Sequence, residues 1–302
     1  MSNILVAGLV NIETTLKIEG FPQHYYPVTY PFDGIQSSVS GVGFNVAKAL
    51  ATLGNQVDLL SLIGADMAGD QIRHAVAQLK GVDAHFDVSM QQSPQSVILY
   101  DEQGRRQIHV DLKDIQQRVY SALAFDKALA LSKAVVLCNI NFSRPMLSKA
   151  KKAGKLIATD VHTLADINDD YNQQFLSSAD IVFLSDEQVK GDYHSVIWQI
   201  AERYQNQVIV MGLGSQGALL YTKQSAEVCH FPAMNTRSIV NTIGAGDALF
   251  SCFLHYYLKD NNAHSALQRA MLFASYKIGE AGAAQGFLNQ TELDKLAVQY
   301  LQ

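Results

Sequence analysis

Short, continuously apolar runs alternate along this chain with stretches whose apolar residues recur at helical spacing. Residues 4–7, 57–63, 134–138, 156–159, 181–184, 208–211 and 218–221 predict strands. Between them, residues 46–53, 71–79, 145–153, 171–177 and 195–204 carry the i, i+3, i+4 repeat of helices. A strand with one wet face alternates polar and apolar residues, whereas a strand apolar at every position is covered on both faces. The pattern therefore predicts an α/β fold with a doubly wound, largely parallel sheet flanked by helices. From Ala245 onward the reading is mostly helical.

Two segments break this rhythm. Residues 12–38 contain Pro22, Pro27 and Pro31 with several aromatic residues, and alternate only over 14–18. Residues 95–111 read as a hairpin turning at Asp101-Glu102-Gln103-Gly104. Either the two pair into a small β-sheet lid over a cleft, or they are separate surface excursions. The first alternative divides the chain into a core of residues 1–11, 39–94 and 112–302 and a lid of 12–38 and 95–111.

Composition narrows the function classes. The 302 residues are 48% hydrophobic with 17% charged, which suits a buried core and excludes a disordered chain. Net charge is −5 with scattered basic residues, so a nucleic-acid surface is not expected. Cys138, Cys229 and Cys252 lack metal spacing and read as reduced core thiols. The longest apolar stretch, 249–258, contains His255 and is too short to span a bilayer. A soluble, cytoplasmic protein without a membrane partner is the expectation.

Three glycine-rich blocks carry candidate chemistry. Gly212-Leu213-Gly214-Ser215-Gln216-Gly217 matches GxGxxG, but a dinucleotide site needs a helix there, and residues 218–222 read as a strand. A nicotinamide oxidoreductase therefore fails on context; a hairpin turn and a nucleotide-contacting loop remain open. Gly41-Val42-Gly43-Phe44-Asn45 opens a helix without a clear strand before it, and its small backbone could approach a ligand closely. Asn241-Thr242-Ile243-Gly244-Ala245-Gly246-Asp247 precedes an apolar helix. Its amides would face an anion at the positive end of the helix dipole, with Asp247 placed to accept a proton from an attacking hydroxyl. The plainer alternative is a tight helix entry with an acidic first turn.

Together these blocks resemble the ribokinase-like, PfkB-type family of carbohydrate and nucleoside kinases, along essentially the whole chain. The late block matches D-T-x-G-A-G-D, and Gly41 to Asn45 matches the earlier glycine-rich helix entry. Residues 8–13, Gly-Leu-Val-Asn-Ile-Glu, look like the first-strand sugar-contacting segment. The resemblance implies an ATP-dependent phosphotransferase acting on a hydroxymethyl group of a small sugar, with a nucleoside or pseudouridine as the alternative acceptor. It makes Asp247 the general base, with a carboxylate of ordinary pKa sufficing, and the amides of Gly244, Ala245 and Gly246 the anion hole. Substrate contacts would come from Asn11, Glu13, Gly41, Gly43, Asn45 and Asn141. ATP would lie along Ser185, Gly212, Gly214 and Gly217, with Mg²⁺ bridging its phosphates and Glu187 as a ligand.

The departures from the family pattern are informative. Asn241 replaces the usual Asp, which weighs against a K⁺ requirement, and Glu13 is one methylene longer than the usual Asp. Ser185-Asp186-Glu187-Gln188 stands where N-x-x-E is expected, which keeps open a regulatory sugar- or nucleoside-binding protein on the same scaffold. Phe21, Tyr25, Tyr26 and Tyr30 read either as a slot for a base or, the favoured alternative, as lid core. Arg105 and Arg106 flank the hairpin turn; they are solvated charges unless lid closure brings them to a phosphate. An exposed edge on such a lid would invite a homodimer.

Overall fold

A computed structural model describes residues 3–301. The chain begins as β1 (Asn3–Ala7), leaves through β2 (Asn11–Lys17) and β3 (Ile35–Ser40), and returns as α1 (Val42–Thr52), β4 (Gln56–Gly64), α2 (Met67–Ala77) and β5 (Val82–Met90). A second excursion, β6 (Gln95–Tyr100) and β7 (Arg106–Asp111), precedes α3 (Ala122–Leu131), β8 (Ala134–Leu137), α4 (Arg144–Lys152), β9 (Leu156–Thr163) and α5 (Asp170–Ser178). Then come β10 (Ile181–Ser185), α6 (Tyr193–Tyr204), β11 (Val208–Gly212), β12 (Ala218–Thr222) and β13 (Glu227–Phe231). Three helices close the chain: α7 (Ala245–Asp260), α8 (Ala263–Lys277) and α9 (Gln290–Tyr300).

Nine strands form one sheet in the order β13-β12-β11-β10-β9-β8-β1-β4-β5, with β12 alone reversed and antiparallel to both of its neighbours. Each strand feeds both faces because successive side chains alternate. Ile4 and Val6 pack with α1, α7 and α8, whereas Leu5 and Ala7 pack with α3 to α6. Both pairs are fully buried, which accounts for the unbroken apolar run. The winding reverses between β1 and β8, the position where open α/β sheets bind ligands beyond their strand ends.

The two excursions pair into a second sheet, β3-β2-β6-β7. They join through parallel pairing of β2 and β6, from Ile12 opposite Gln95 to Lys17 opposite Tyr100. Its covered face is largely polar: Asn11, Glu13 and Thr15 of β2 and Ser96 of β6 are buried beside Ile98, the register puts the exposed Ile108 and Val110 of β7 at the open end of that same face, and Val97 points to the other side. A sheet that hides its polar residues and exposes apolar ones is not built around an ordinary core.

Several expectations need correction. Tyr25, Tyr26 and Tyr30 are exposed, Tyr25 at 90%, so they are not lid core; the connection between β2 and β3 packs too little apolar surface over them. The strand β3 does precede Gly41, but its mostly exposed, Ser-rich sequence hides it. Cys229 is only half-buried, being on the outer strand β13, while Cys138 and Cys252 are buried as expected; all three are free. Missed elements are β5 and β13, which are sheet edges, and α3.

Candidate active site

Two helix N-termini meet at the winding reversal. Gly41 begins α1 with φ of 97°, and a methyl group there would stand 2.5 Å from the Leu9 carbonyl oxygen. A methyl on Gly43 would lie 2.6 Å from the Gly8 backbone, and the Gly43 amide donates to Leu9 O at 2.9 Å. On their Cβ side both glycines make a close chain-to-chain approach that seats α1 against the exit of β1. That seating aims Asn45 and the adjoining Ser40 inward. The Ser40 hydroxyl lies 3.1 Å from Glu13 Oε2 and 3.3 Å from Asn45 Oδ1, and Asn45 Nδ2 donates to Asp247 Oδ2 at 2.7 Å.

Opposite, α7 starts at Gly244, whose φ of 73° and contact with Ala283 (a methyl would sit 2.3 Å from its oxygen) leave room for glycine alone. No side chain caps this helix. The Ala245 amide turns back to Thr242 O at 3.2 Å, so it is a poorer member of the expected anion hole. The amides of Gly244, Gly246 and Asp247 have no intramolecular acceptor among the described residues. They lie at the positive end of the dipole, ready for an anion.

Asp247 is not an ordinary carboxylate. Burial pushes its pKa up to about 6, opposed by the Asn45 hydrogen bond, aided by the negative charge of Asp160, and opposed again by His162 and Lys277. Glu13 is also raised, first by burial and then by Asp247, against the Ser40 hydrogen bond and Lys277. Glu13 Oε1 and Asn11 Oδ1 are buried acceptors with no hydrogen-bond partner. The Ala283 amide pulls weakly on the Glu13 carboxylate but does not reach hydrogen-bond geometry with Oε1. Asn11 Nδ2 donates to Ser96 Oγ at 3.0 Å, which fixes the amide so that its oxygen is the free end.

The small sheet rests on the loop that leads into α7. Ile98 of β6 is buried against Ile243 and Ala283. Arg106, which opens β7, donates to Thr242 Oγ1 at 2.9 Å and to Glu187 Oε1 at 2.8 Å. The neighbouring Arg105 is instead held by the buried Asp101. Glu187 thus lies beside the loop, and Asp160 Oδ2 lies over Gly246, 3.9 Å from where a methyl there would be. These carboxylates are hard oxygen donors of the kind Mg²⁺ prefers, so the residues present fit that ion.

Ser185 and Gly212 are register partners at the ends of β10 and β11. The GxGxxG segment turns between antiparallel strands rather than opening a helix: Leu213 N donates to Gly217 O at 2.8 Å, and Gly214 and Gly217 both have positive φ. A methyl on Gly217 would collide with Phe231 O, so that glycine serves the hairpin. Asn141 is engaged with Gln116 and Arg144, apart from the chain of contacts through Asn45.

The glycine blocks pointed to most of this site but not to Asp160, Ser40 or Lys277. Asp160 follows a predicted strand, a position where α/β sheets present ligand-facing residues, and that was its available signal. Lys277 was marked only by being a cation inside an apolar helical pattern.

The pfkB family carbohydrate kinase model matches residues 1–290. The chain belongs to that family. Among curated relatives, the kinase is 22% identical to a ribokinase of Dictyostelium discoideum, over 97% of this chain and 99% of that one. It is 25% identical to an ATP-dependent ribose-1-phosphate kinase of Halopiger xanaduensis, over 94% of each. Among solved structures, a microbiome-derived acarbose kinase superposes with a TM-score of 0.89 at 23% identity, covering 98% of this chain and 99% of the other. The ribokinase of Giardia lamblia gives 0.84 at 16%, covering 99% of each. The kinase therefore has the ribokinase-like fold and acts on a sugar or a nucleoside. Among its described residues no helix is long and apolar enough to cross a membrane.

Proposed function

We propose that this kinase transfers the γ-phosphoryl group of ATP to a hydroxymethyl group of a small sugar. The observation that carries the reading is the pair of buried, unpartnered acceptors, Asn11 Oδ1 and Glu13 Oε1, on the covered face of the small sheet. A buried acceptor left empty is costly, and the hydroxyl donors of a polyol would satisfy both. The exposed Tyr25, Tyr26 and Tyr30 supply no slot for a base, which favours a sugar over a nucleoside.

In this reading Asp247 takes the proton of the acceptor hydroxyl as its oxygen attacks phosphorus. The amides of Gly244 and Gly246 receive the negative charge of the transferring group. Asp160 and Glu187 are the carboxylates that would hold Mg²⁺, which when bound would neutralise charge on the nucleotide phosphates. Arg106 adds a positive charge from the lid side, and the lid excludes water so that the phosphoryl group passes to the sugar. The free edge of β7, exposed at every residue, suits pairing of two lids into a homodimer, and sedimentation analysis checks that.

The test is an ADP-release screen over pentoses, hexoses, ribonucleosides and pseudouridine with Mg·ATP. A sugar should be the preferred acceptor; preference for a nucleoside would overturn the sugar assignment. Asp247→Asn should keep acceptor binding while kcat falls by about 100-fold or more, and an active variant would remove Asp247 as the base.

A further inference from the structure

One buried charge takes no part in the phosphoryl transfer itself. Lys277, the last residue of α8, is 0% exposed. A bare ammonium in such a place is strongly unfavourable unless partners compensate it. Its Nζ donates to the carbonyl oxygen of Ile243, the residue that leads into Gly244 and the free amides. Asp247, Glu13 and Glu280 act on it as anions, and Arg237 opposes them.

Given a kinase that holds phosphate at this loop, we infer that Lys277 is a tethered internal cation, standing where a monovalent metal ion would otherwise be needed, so that the enzyme requires no K⁺. Three features agree. The Ile243 carbonyl already holds a positive charge, and a second cation beside it would be repelled. Asn241 donates from Nδ2 to Ala281 O at 2.6 Å and accepts from Ile243 N at 3.0 Å, so this segment is closed by a neutral amide; an aspartate could not make the first bond. Val240 and Asn241 amides both donate to Ile278 O, which fastens the loop to the end of α8 next to Lys277. The residues present therefore do not fit the K⁺ that the family resemblance brings with it.

Lys277 is a positioning residue: it touches the loop rather than the reacting atoms. Burial pushes its pKa down to about 8, which leaves it cationic at neutral pH. Its ammonium polarises the Ile243 peptide, holds the approach to Gly244, and helps keep Asp247 ionised.

Thermal melting and kinetics in K⁺ against choline provide the test. Wild-type Tm should be unchanged between the salts, and kcat should agree within about twofold. A K⁺-specific rise in Tm, or activation beyond about tenfold, would overturn the inference. Lys277→Ala should lose about 100-fold in kcat and gain a response to K⁺, ammonium or methylammonium in both Tm and kcat. Lys277→Met, which fills the space without a charge, should stay inactive in every salt. A folded Lys277→Ala variant indifferent to all three cations would refute the tethered-cation role. Should that variant not fold, the wild-type salt comparison still decides. The melting arms need no acceptor, so a wild type that makes no ADP would sink the kinase reading without touching this result.

Discussion

Asn45 Nδ2 donates to Asp247 Oδ2 at 2.7 Å, joining the first turn of α1 to the first turn of α7 across the cleft. The bond fixes which carboxylate oxygen is left to face an acceptor hydroxyl. A hydrogen bond to a charged group contributes roughly 1.5–3 kcal/mol. Asn45→Ala should therefore lower kcat by about tenfold to 100-fold, with a smaller change in the KM for ATP. Asn45→Asp should be worse, because it sets a second carboxylate against the base. An Asn45→Ala variant with parental kcat would show that the bond does not position Asp247.

The raised pKa of Asp247 predicts the shape of the pH profile. As the proposed base, Asp247 works only when ionised, and burial pushes its pKa up to about 6, so kcat/KM should fall as the pH drops through 6 and level off above it. The Asn45 bond lowers that pKa, so in Asn45→Ala the acid limb should move to higher pH. This second measurement separates the enzyme's titration from that of the nucleotide, which no substitution in the protein alters. A limb that stays in place in the variant would assign it to something other than Asp247.

In the proposed reaction Glu13 bears on acceptor choice. Oε2 is held by Ser40 while Oε1 is free, so one carboxylate oxygen is anchored and the other offered. Glu13→Gln keeps the size but can present an N–H where an acceptor is needed. It should raise the acceptor KM by about tenfold or more, with the KM for ATP nearly constant. Glu13→Asp withdraws the carboxylate by one methylene and should change the ranking of sugars in the screen. Unchanged acceptor kinetics in both variants would place the sugar elsewhere.

How far the primary structure foretold this molecule depends on whether a residue's neighbours are near in sequence. The parallel strands of the sheet interior were visible because burial on both faces leaves apolar runs, as in residues 181–184 and 208–211. The edge strands β5 and β13 were not, since one wet face and a free edge dilute that signal. Gly244 to Asp247 announced a helix entry with a carboxylate, because both depend on local backbone. The pairing of Asn45 with Asp247 spans 202 positions and Lys277 with Ile243 spans 34, and no local pattern encodes either distance. Gly41 and Gly43 were noticed for the right property, close approach, but sequence does not say what approaches. The exposed tyrosines show the reverse case: aromatic residues suggest a core only when other segments fold over them.

Arg106 is the point where the small sheet reaches the loop before α7. Its guanidinium is shared between Thr242 and Glu187, and both partners are exposed or half-buried. Such an ion pair contributes little to folding, so Arg106→Ala should leave Tm nearly unchanged. In the transfer reaction the same guanidinium would meet a phosphate oxygen, and a charge-assisted bond made there is stronger than the one to Thr242. The variant should therefore lose about tenfold to 100-fold in kcat and release more ADP to water in the absence of acceptor, relative to its sugar-dependent rate. Arg106→Lys keeps the charge but loses the two-pronged reach, and should fall between the two. A variant with parental kcat and an unaltered ratio of hydrolysis to transfer would leave Arg106 as a surface ion pair and nothing more.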